Sequence, residues 1–103
     1  MKTQQVVQPR FRLGRLTATP GAIRAMQRAG QDPLALIERH RRGDWGVVGE
    51  DDAGANERAV AHEGDPDRQE RVLSVYVTDV GDRLWVITEA DRSATCVLLP
   101  EDY

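Results

Sequence analysis

Three polar residues near the end of the chain have the types and spacing to bind an anion. Glu89 and Arg92 fall in the polar segment EADRS, and Thr95 follows at the start of an apolar run. A guanidinium group above a carboxylate and a hydroxyl can hold a phosphate, or a partner's carboxylate, through two hydrogen bonds. We therefore predict that Glu89, Arg92 and Thr95 form a binding site. The alternative is a hairpin loop in which Asp91 accepts backbone N–H bonds.

The same segment could serve a ribonuclease. In-line attack by a 2′-OH requires a base, an acid and a cation on the phosphate. Glu89 could act as the base and Arg92 as the cation, with His40 as the acid. His62 and Arg83 are the alternatives for the acid and the cation. The pI of about 5.3 and the single Lys count against an RNA-binding enzyme, so we favour a protein without enzymatic activity.

Three aromatic residues are predicted to anchor a protein partner. Trp45 lies in the glycine-flanked turn GDWG, and Tyr76 and Trp85 lie in apolar runs of the second half. Aromatic and Arg side chains contribute most of the binding energy at protein interfaces. For Trp45 the alternative is packing on the core, which would fix how the chain leaves a helix. We expect a protein partner and either a monomer or a homodimer.

The charge of the chain is unevenly distributed. Residues 1–50 have a net charge of +5 and residues 51–103 a net charge of −8, which together give −3 at pH 7. If the halves form separate faces, the acidic face suits a basic partner, whereas interleaving would cancel much of the asymmetry. Nucleic acid is the less favoured partner, because affinity for its phosphates depends on basic side chains.

Cysteine content and hydropathy predict a cytoplasmic protein. The single cysteine, Cys96, lies in an apolar run and is expected in the core rather than in a disulfide. No apolar stretch approaches the ~20 residues that span a bilayer. The histidine and carboxylate residues lack the spacing of a metal-binding motif, so we expect neither a metal nor a cofactor.

A small number of elements must position these residues. The polar segment MKTQQVVQP predicts a flexible tail at 1–9, and residues 10–103 are long enough for a single α+β domain. Alternation of apolar residues predicts a strand within 11–18. We expect the helices to follow this strand and three further strands to follow the helices.

Two pairs of residues are typical of helix starts. Thr19-Pro20 and Asp32-Pro33 each combine a capping side chain with proline at the first helical position. Gly30 and Gly43 are typical of helix ends, so a helical hairpin is predicted between residues 20 and 42. A third, short helix is expected at 53–62, preceded by an acidic cap.

The second half of the chain has the period of β-strands. Strands are predicted at 72–78, 84–88 and 95–99, and the second is apolar on both faces, as a central strand is. In the first, one face would carry Leu73, Val75 and Val77, and the other Ser74, Tyr76 and Thr78. Short turns between these strands predict a three-stranded antiparallel meander with the helices packed on one face.

Several stretches of the sequence resemble a known group of proteins. GDWG at 43–46, LWVITEADRSAT at 84–95 and LLPEDY at 98–103, with LTATPGA from Leu16, are similar to small uncharacterised bacterial proteins common on plasmids and other mobile elements. The resemblance, over about residues 16–103, implies a mobile-element context and no particular activity. With the charge asymmetry, it leads us to expect a small interaction or regulatory protein that binds a host or defence protein. The layout is also similar to RelE and ParE toxins and, more loosely, to barnase-like ribonucleases.

Overall fold

The computed structural model describes residues 10–103, and this part of the chain forms three α-helices and four β-strands. In chain order they are β1 (Arg15–Ala18), α1 (Pro20–Ala29), α2 (Pro33–Arg41), α3 (Glu50–Ala61), β2 (Val72–Val77), β3 (Arg83–Thr88) and β4 (Ala94–Leu98), followed by a 3₁₀ turn at Pro100–Asp102. The predicted α+β class is confirmed. The predicted flexible tail at 1–9 lies outside the described residues. Within those residues no helix is long and apolar enough to cross a membrane.

The four strands form one mixed sheet in the order β1-β4-β3-β2. β2, β3 and β4 pair antiparallel with their neighbours in the chain, as in the predicted meander. β1 pairs with β4 in parallel, with Arg15 opposite Ala94. The meander is therefore only part of the sheet. Two parallel strands must be joined by a crossover connection, and here that connection contains all three helices, β2 and β3. Local sequence patterns therefore cannot predict the pairing of β1 with β4.

The first two helices start where the sequence predicts. Thr19 accepts a hydrogen bond from the Ala22 N–H at 3.2 Å, and Asp32 accepts one from the Leu34 N–H at 3.0 Å. Such side-chain caps satisfy N–H groups that a helix leaves free at its start. α3 begins at Glu50, earlier than the predicted 53. Its acidic residues therefore lie inside the first turn, where the helix dipole favours negative charge.

The helices pack against one face of the sheet, which we call the inner face. The apolar cluster between them contains Ala22, Ala25, Met26, Leu36, Ile37, Tyr76, Leu84, Val86 and Val97. Along β2, Ser74 and Tyr76 face the helices, whereas Val75 pairs with Trp85 on the opposite face. The more polar side of this strand therefore faces the core. Its hydroxyl groups find hydrogen-bond partners there: Ser74 bonds to the buried His40, and Tyr76 donates to the Asp44 carbonyl at 2.5 Å.

The free edge of β2 is covered by other parts of the chain. The side chain of Asn56 on α3 donates to the Leu73 carbonyl at 2.7 Å and accepts from the Leu73 N–H at 3.0 Å. Further along, Val75 exchanges backbone hydrogen bonds with Trp45 and Val47 on either side of Gly46. An uncovered edge would offer unpaired backbone groups to other chains.

Gly46 is predicted to be the least replaceable glycine of the turn after α2. Its φ of 73° is left-handed, and a Cβ atom there would overlap the Val75 carbonyl oxygen. Gly30 has a similar φ of 64° with nothing within 4 Å of its Cβ position. We expect Gly30→Ala to cost about 1 kcal/mol of unfolding free energy and Gly46→Ala several times as much, measured by urea denaturation. Equal losses would show that the contact with β2 is unimportant.

Candidate functional site

A continuous chain of side-chain hydrogen bonds runs through the core around His40. Its Nδ1 is 2.6 Å from the Ser74 hydroxyl, and its Nε2 is 2.9 Å from the Thr88 hydroxyl. Thr88 contacts the Thr95 hydroxyl at 2.6 Å, and Thr95 donates to the Leu13 carbonyl at 2.7 Å. The side chains of all four linked residues are inaccessible to solvent. We call Ser74, His40, Thr88 and Thr95 the buried polar chain.

The environment of His40 keeps its imidazole neutral. Burial, and secondarily the positive charge of Arg92, lower the pKa of His40 to about 3. Aromatic rings border it, because the Phe11 centroid lies 5.1 Å away edge-on and the Trp45 centroid 6.2 Å away. A neutral imidazole with both nitrogens engaged cannot donate a proton to a substrate near neutral pH. Without a positive charge, His40 also cannot stabilise the negative end of the α2 helix dipole.

Arg92 holds together the loop that joins β3 and β4. Its Nη1 donates to the carbonyl groups of Glu70, Glu89 and Ala90 at 2.7, 3.0 and 3.2 Å. Its Nε donates to the Glu63 carboxylate at 2.8 Å, and the side chain is only 4% exposed. With φ of 61°, Arg92 is also the turn residue of this loop. The predicted hairpin loop is present, and Asp91 accepts a hydrogen bond from the Ser93 N–H.

The structure does not bring the predicted site residues to a common cleft. Arg92 is bound to Glu63 and backbone carbonyls, and Thr95 belongs to the buried polar chain. Glu89 is exposed, and it lines a different cleft from the one that Arg92 lines. His40, the acid of the ribonuclease alternative, is buried in the core. The alternative acid and cation do not complete a ribonuclease site either. His62 lines a separate groove, and Arg83 lies on the sheet face opposite the helices.

A cleft of about 840 Å³, which we call the arginine cleft, opens beside Arg92. Its charged lining consists of Arg10, Arg12, Arg41, Arg92, Glu63 and Asp91. The chain before β1 forms one wall, and the ends of α2 and α3 form others. Glu63 was not predicted, because its link to Arg92 joins residues 29 positions apart and leaves no local signal.

A second cleft, of about 460 Å³, has the opposite charge. Its charged residues are Asp52, Glu70, Glu89 and Arg71, and we call it the acidic cleft. Gln69 lines both clefts, so the two lie side by side. The folded chain therefore places a cleft rich in arginine next to a cleft rich in carboxylates. It also pairs residues of the two halves, as in the Arg10–Glu57 ion pair of 2.7 Å.

Only one of the three predicted aromatic anchors lies outside the core. Trp45 is 8% exposed and donates its indole N–H to Glu57 at 3.0 Å, and Tyr76 is 2% exposed. Both are therefore core residues. For Trp45 this agrees with the alternative interpretation, in which its ring packs on the core. Trp85 is half-buried on the sheet face opposite the helices, and the Tyr103 ring centroid lies 5.5 Å from it.

The face that carries Trp85 is mainly apolar. From the strand pairing, this outer face is formed by Leu73, Val75, Val77, Arg83, Trp85, Ile87, Ala94, Cys96 and Leu98. None of them belongs to the apolar clusters that join the helices to the sheet. Cys96, expected in the core, is half-buried here. Val75, Ile87 and Leu98 are buried, so the accessible apolar surface of this face consists mainly of Val77, which is 46% exposed, and the half-buried Leu73, Trp85 and Cys96.

No protein-family model, curated protein or solved structure matches this chain. Within residues 10–103, no group of three or more His, Cys, Asp or Glu side chains could hold a metal ion. The accessible features of residues 10–103 include the arginine cleft, the acidic cleft, the groove at His62 and the outer face.

The neutral state of His40 predicts a pH dependence of stability. Because the pKa of His40 is about 3 in the folded protein, and about 6.5 when unfolded, the unfolded chain alone takes up this proton at intermediate pH. Stability is then lost as the pH falls. We expect the unfolding free energy to fall by about 2 kcal/mol between about pH 7 and pH 5, above the range in which carboxylates titrate.

Urea denaturation of the wild type and of His40→Gln at both pH values measures this dependence. His40→Gln should be less stable at neutral pH, and its stability should be nearly constant over this range. His62→Gln is the control for a histidine outside the buried polar chain and should retain the wild-type dependence. A wild type equally stable at both pH values would contradict the neutral, buried imidazole.

Proposed function

We propose that this chain is a non-enzymatic interaction protein of a bacterial mobile element, and that its outer face binds a host or defence protein. The observation that carries this proposal is the composition of the outer face, in which Trp85 lies among aliphatic strand residues. Aromatic residues with apolar surroundings are typical of the centres of protein interfaces. The mobile-element context is supported by the sequence resemblance over about residues 16–103.

The charges around the outer face indicate the chemistry of the partner. Arg15 and Arg83 occupy outward positions on the strands, and the strands carry no carboxylate on this side. Arg71, just before β2, bonds to the Tyr103 hydroxyl and lies 5.4 Å from its ring centroid, and with Leu73 it also borders the acidic cleft. A complementary partner would offer an apolar patch bordered by carboxylates. The acidic second half of the sequence predicts a basic partner, whereas the arginines of the outer face favour an acidic one.

A protein fits this face better than a nucleic acid does. Single-stranded nucleic acid binds by stacking bases on free aromatic rings along a basic surface. Here the one Trp of the face is already in contact with Tyr103, and its strand neighbours are aliphatic. The net charge of the chain is −3, which weakens binding to phosphates.

The proposal predicts a partner whose capture depends on Trp85. The tagged protein would be used for affinity purification from a bacterial lysate, followed by mass spectrometry, in parallel with Trp85→Ala and Leu34→Ala. Leu34 is 64% exposed on α2 and serves as the control for loss of an exposed apolar side chain. With the purified partner, we expect Trp85→Ala to weaken binding at least about tenfold, or roughly 1.4 kcal/mol, and Leu34→Ala to have little effect.

A charge variant tests the chemistry of the partner. Arg71→Gln combined with Arg83→Gln should weaken binding and reduce its dependence on salt, because exposed charge pairs are screened by ions. Capture that is lost after nuclease treatment would favour a nucleic-acid ligand instead. Self-association that depends on Trp85, measured by sedimentation, would make the partner a second copy. RNA cleavage abolished by Glu89→Gln would favour the ribonuclease alternative.

A further inference from the structure

Two buried nitrogen atoms lack hydrogen-bond partners within residues 10–103, and both belong to the arginine cleft. They are Nε of Arg41 and Nη2 of Arg92, and both side chains line this cleft. Buried polar groups in folded proteins are nearly always bonded, so an orphaned donor needs an explanation. Two such donors at one cleft are explained together if a bound acceptor supplies the missing bonds.

The acidic groups in the cleft do not supply them. The two oxygens of Glu63 accept from Arg92 Nε and from the Arg12 N–H, each at 2.8 Å. Asp91 is directed to its own loop, where it accepts from the Ser93 N–H at 2.9 Å. The Arg12 side chain is exposed and makes no ion pair with the described residues. Arg41 pairs with Glu38 at 2.7 Å through Nη2, and Arg92 pairs with Glu63, so their charges are partly compensated. The cleft therefore keeps two unbonded N–H groups and the unpaired positive charge of Arg12.

The geometry suits an acceptor with several oxygens. Arg92 is fixed by three carbonyl groups and Glu63, so its remaining nitrogen is held in place before any ligand arrives. Preorganised donors bind with little loss of side-chain entropy. Guanidinium groups match the spacing of phosphate oxygens, and they do so better than ammonium groups.

We propose that the arginine cleft binds a phosphomonoester, with its phosphate at Arg12, Arg41 and Arg92. The volume of about 840 Å³ is larger than a phosphate needs and lies within the range of small-molecule sites. Leu13 and Pro66 supply apolar lining for the organic part of the ligand. None of the outer-face residues lines this cleft, so the site is independent of the proposed protein interface.

Binding would be measured by calorimetry with adenosine 5′-monophosphate, inorganic phosphate and adenosine, at matched ionic strength in chloride. The nucleotide should bind, phosphate should bind more weakly, and adenosine should show no binding. Arg12→Gln and Arg41→Gln should each weaken nucleotide binding roughly tenfold. Arg24→Gln, an exposed arginine of α1 outside the cleft, is the matched control and should leave binding unchanged.

Arg92 itself is left in place, because its replacement would release the loop that it holds. The urea midpoint of each variant shows whether it is folded. If Arg41→Gln is unfolded, Arg12→Gln alone tests the proposal, because the exposed Arg12 side chain can be replaced without disturbing the fold. The proposal is overturned if the nucleotide does not bind at millimolar concentration, or if adenosine binds equally well. It is also overturned if Arg24→Gln weakens binding as much as Arg12→Gln, which would indicate diffuse surface charge.

Discussion

The buried polar chain is the interaction on which the rest of the structure depends. Through His40 it joins α2 to β2 and β3, and through Thr95 it joins β4 to the chain before β1. A buried donor or acceptor without a partner costs about 1–3 kcal/mol, so each link constrains the next. The apolar clusters could tolerate small shifts of one element against another, whereas these short hydrogen bonds fix their relative positions.

The predictable parts of the fold are those encoded by neighbouring residues. Thr19-Pro20 and Asp32-Pro33 start helices because a cap and a proline act within one turn. The partner of β1 and the role of His40 were missed, because they depend on contacts 34 to 82 positions apart. The alternation of apolar residues in β2 also does not predict that Ser74 faces the core. Its hydroxyl is acceptable there only because an imidazole from α2 reaches it.

In the candidate sites, too, local features are predictable from the sequence and long-range contacts are not. A hairpin loop at EADRS is predictable from its polar residues between two apolar runs. The predicted binding site is not, because Glu89, Thr95 and Arg92 share no cleft, and Arg92 instead holds the loop together. Its bonding could not be foreseen, because Glu63 and the Glu70 carbonyl come from a loop whose path the sequence leaves open. The charge asymmetry is partly cancelled by pairs such as Arg28–Asp82 and partly retained in the two adjacent clefts.

The parallel pairing of β1 with β4 has a consequence for the order of folding. The Thr95–Leu13 hydrogen bond closes a loop of 82 positions, and such contacts are slow to form because the intervening chain must first be arranged. The helical hairpin and the strands from β2 to β4 can assemble through much shorter loops. Leu13 and Gly14, which line the arginine cleft, are therefore expected to take their places in the last step of folding. A partly folded chain could then present the outer face while lacking the arginine cleft altogether.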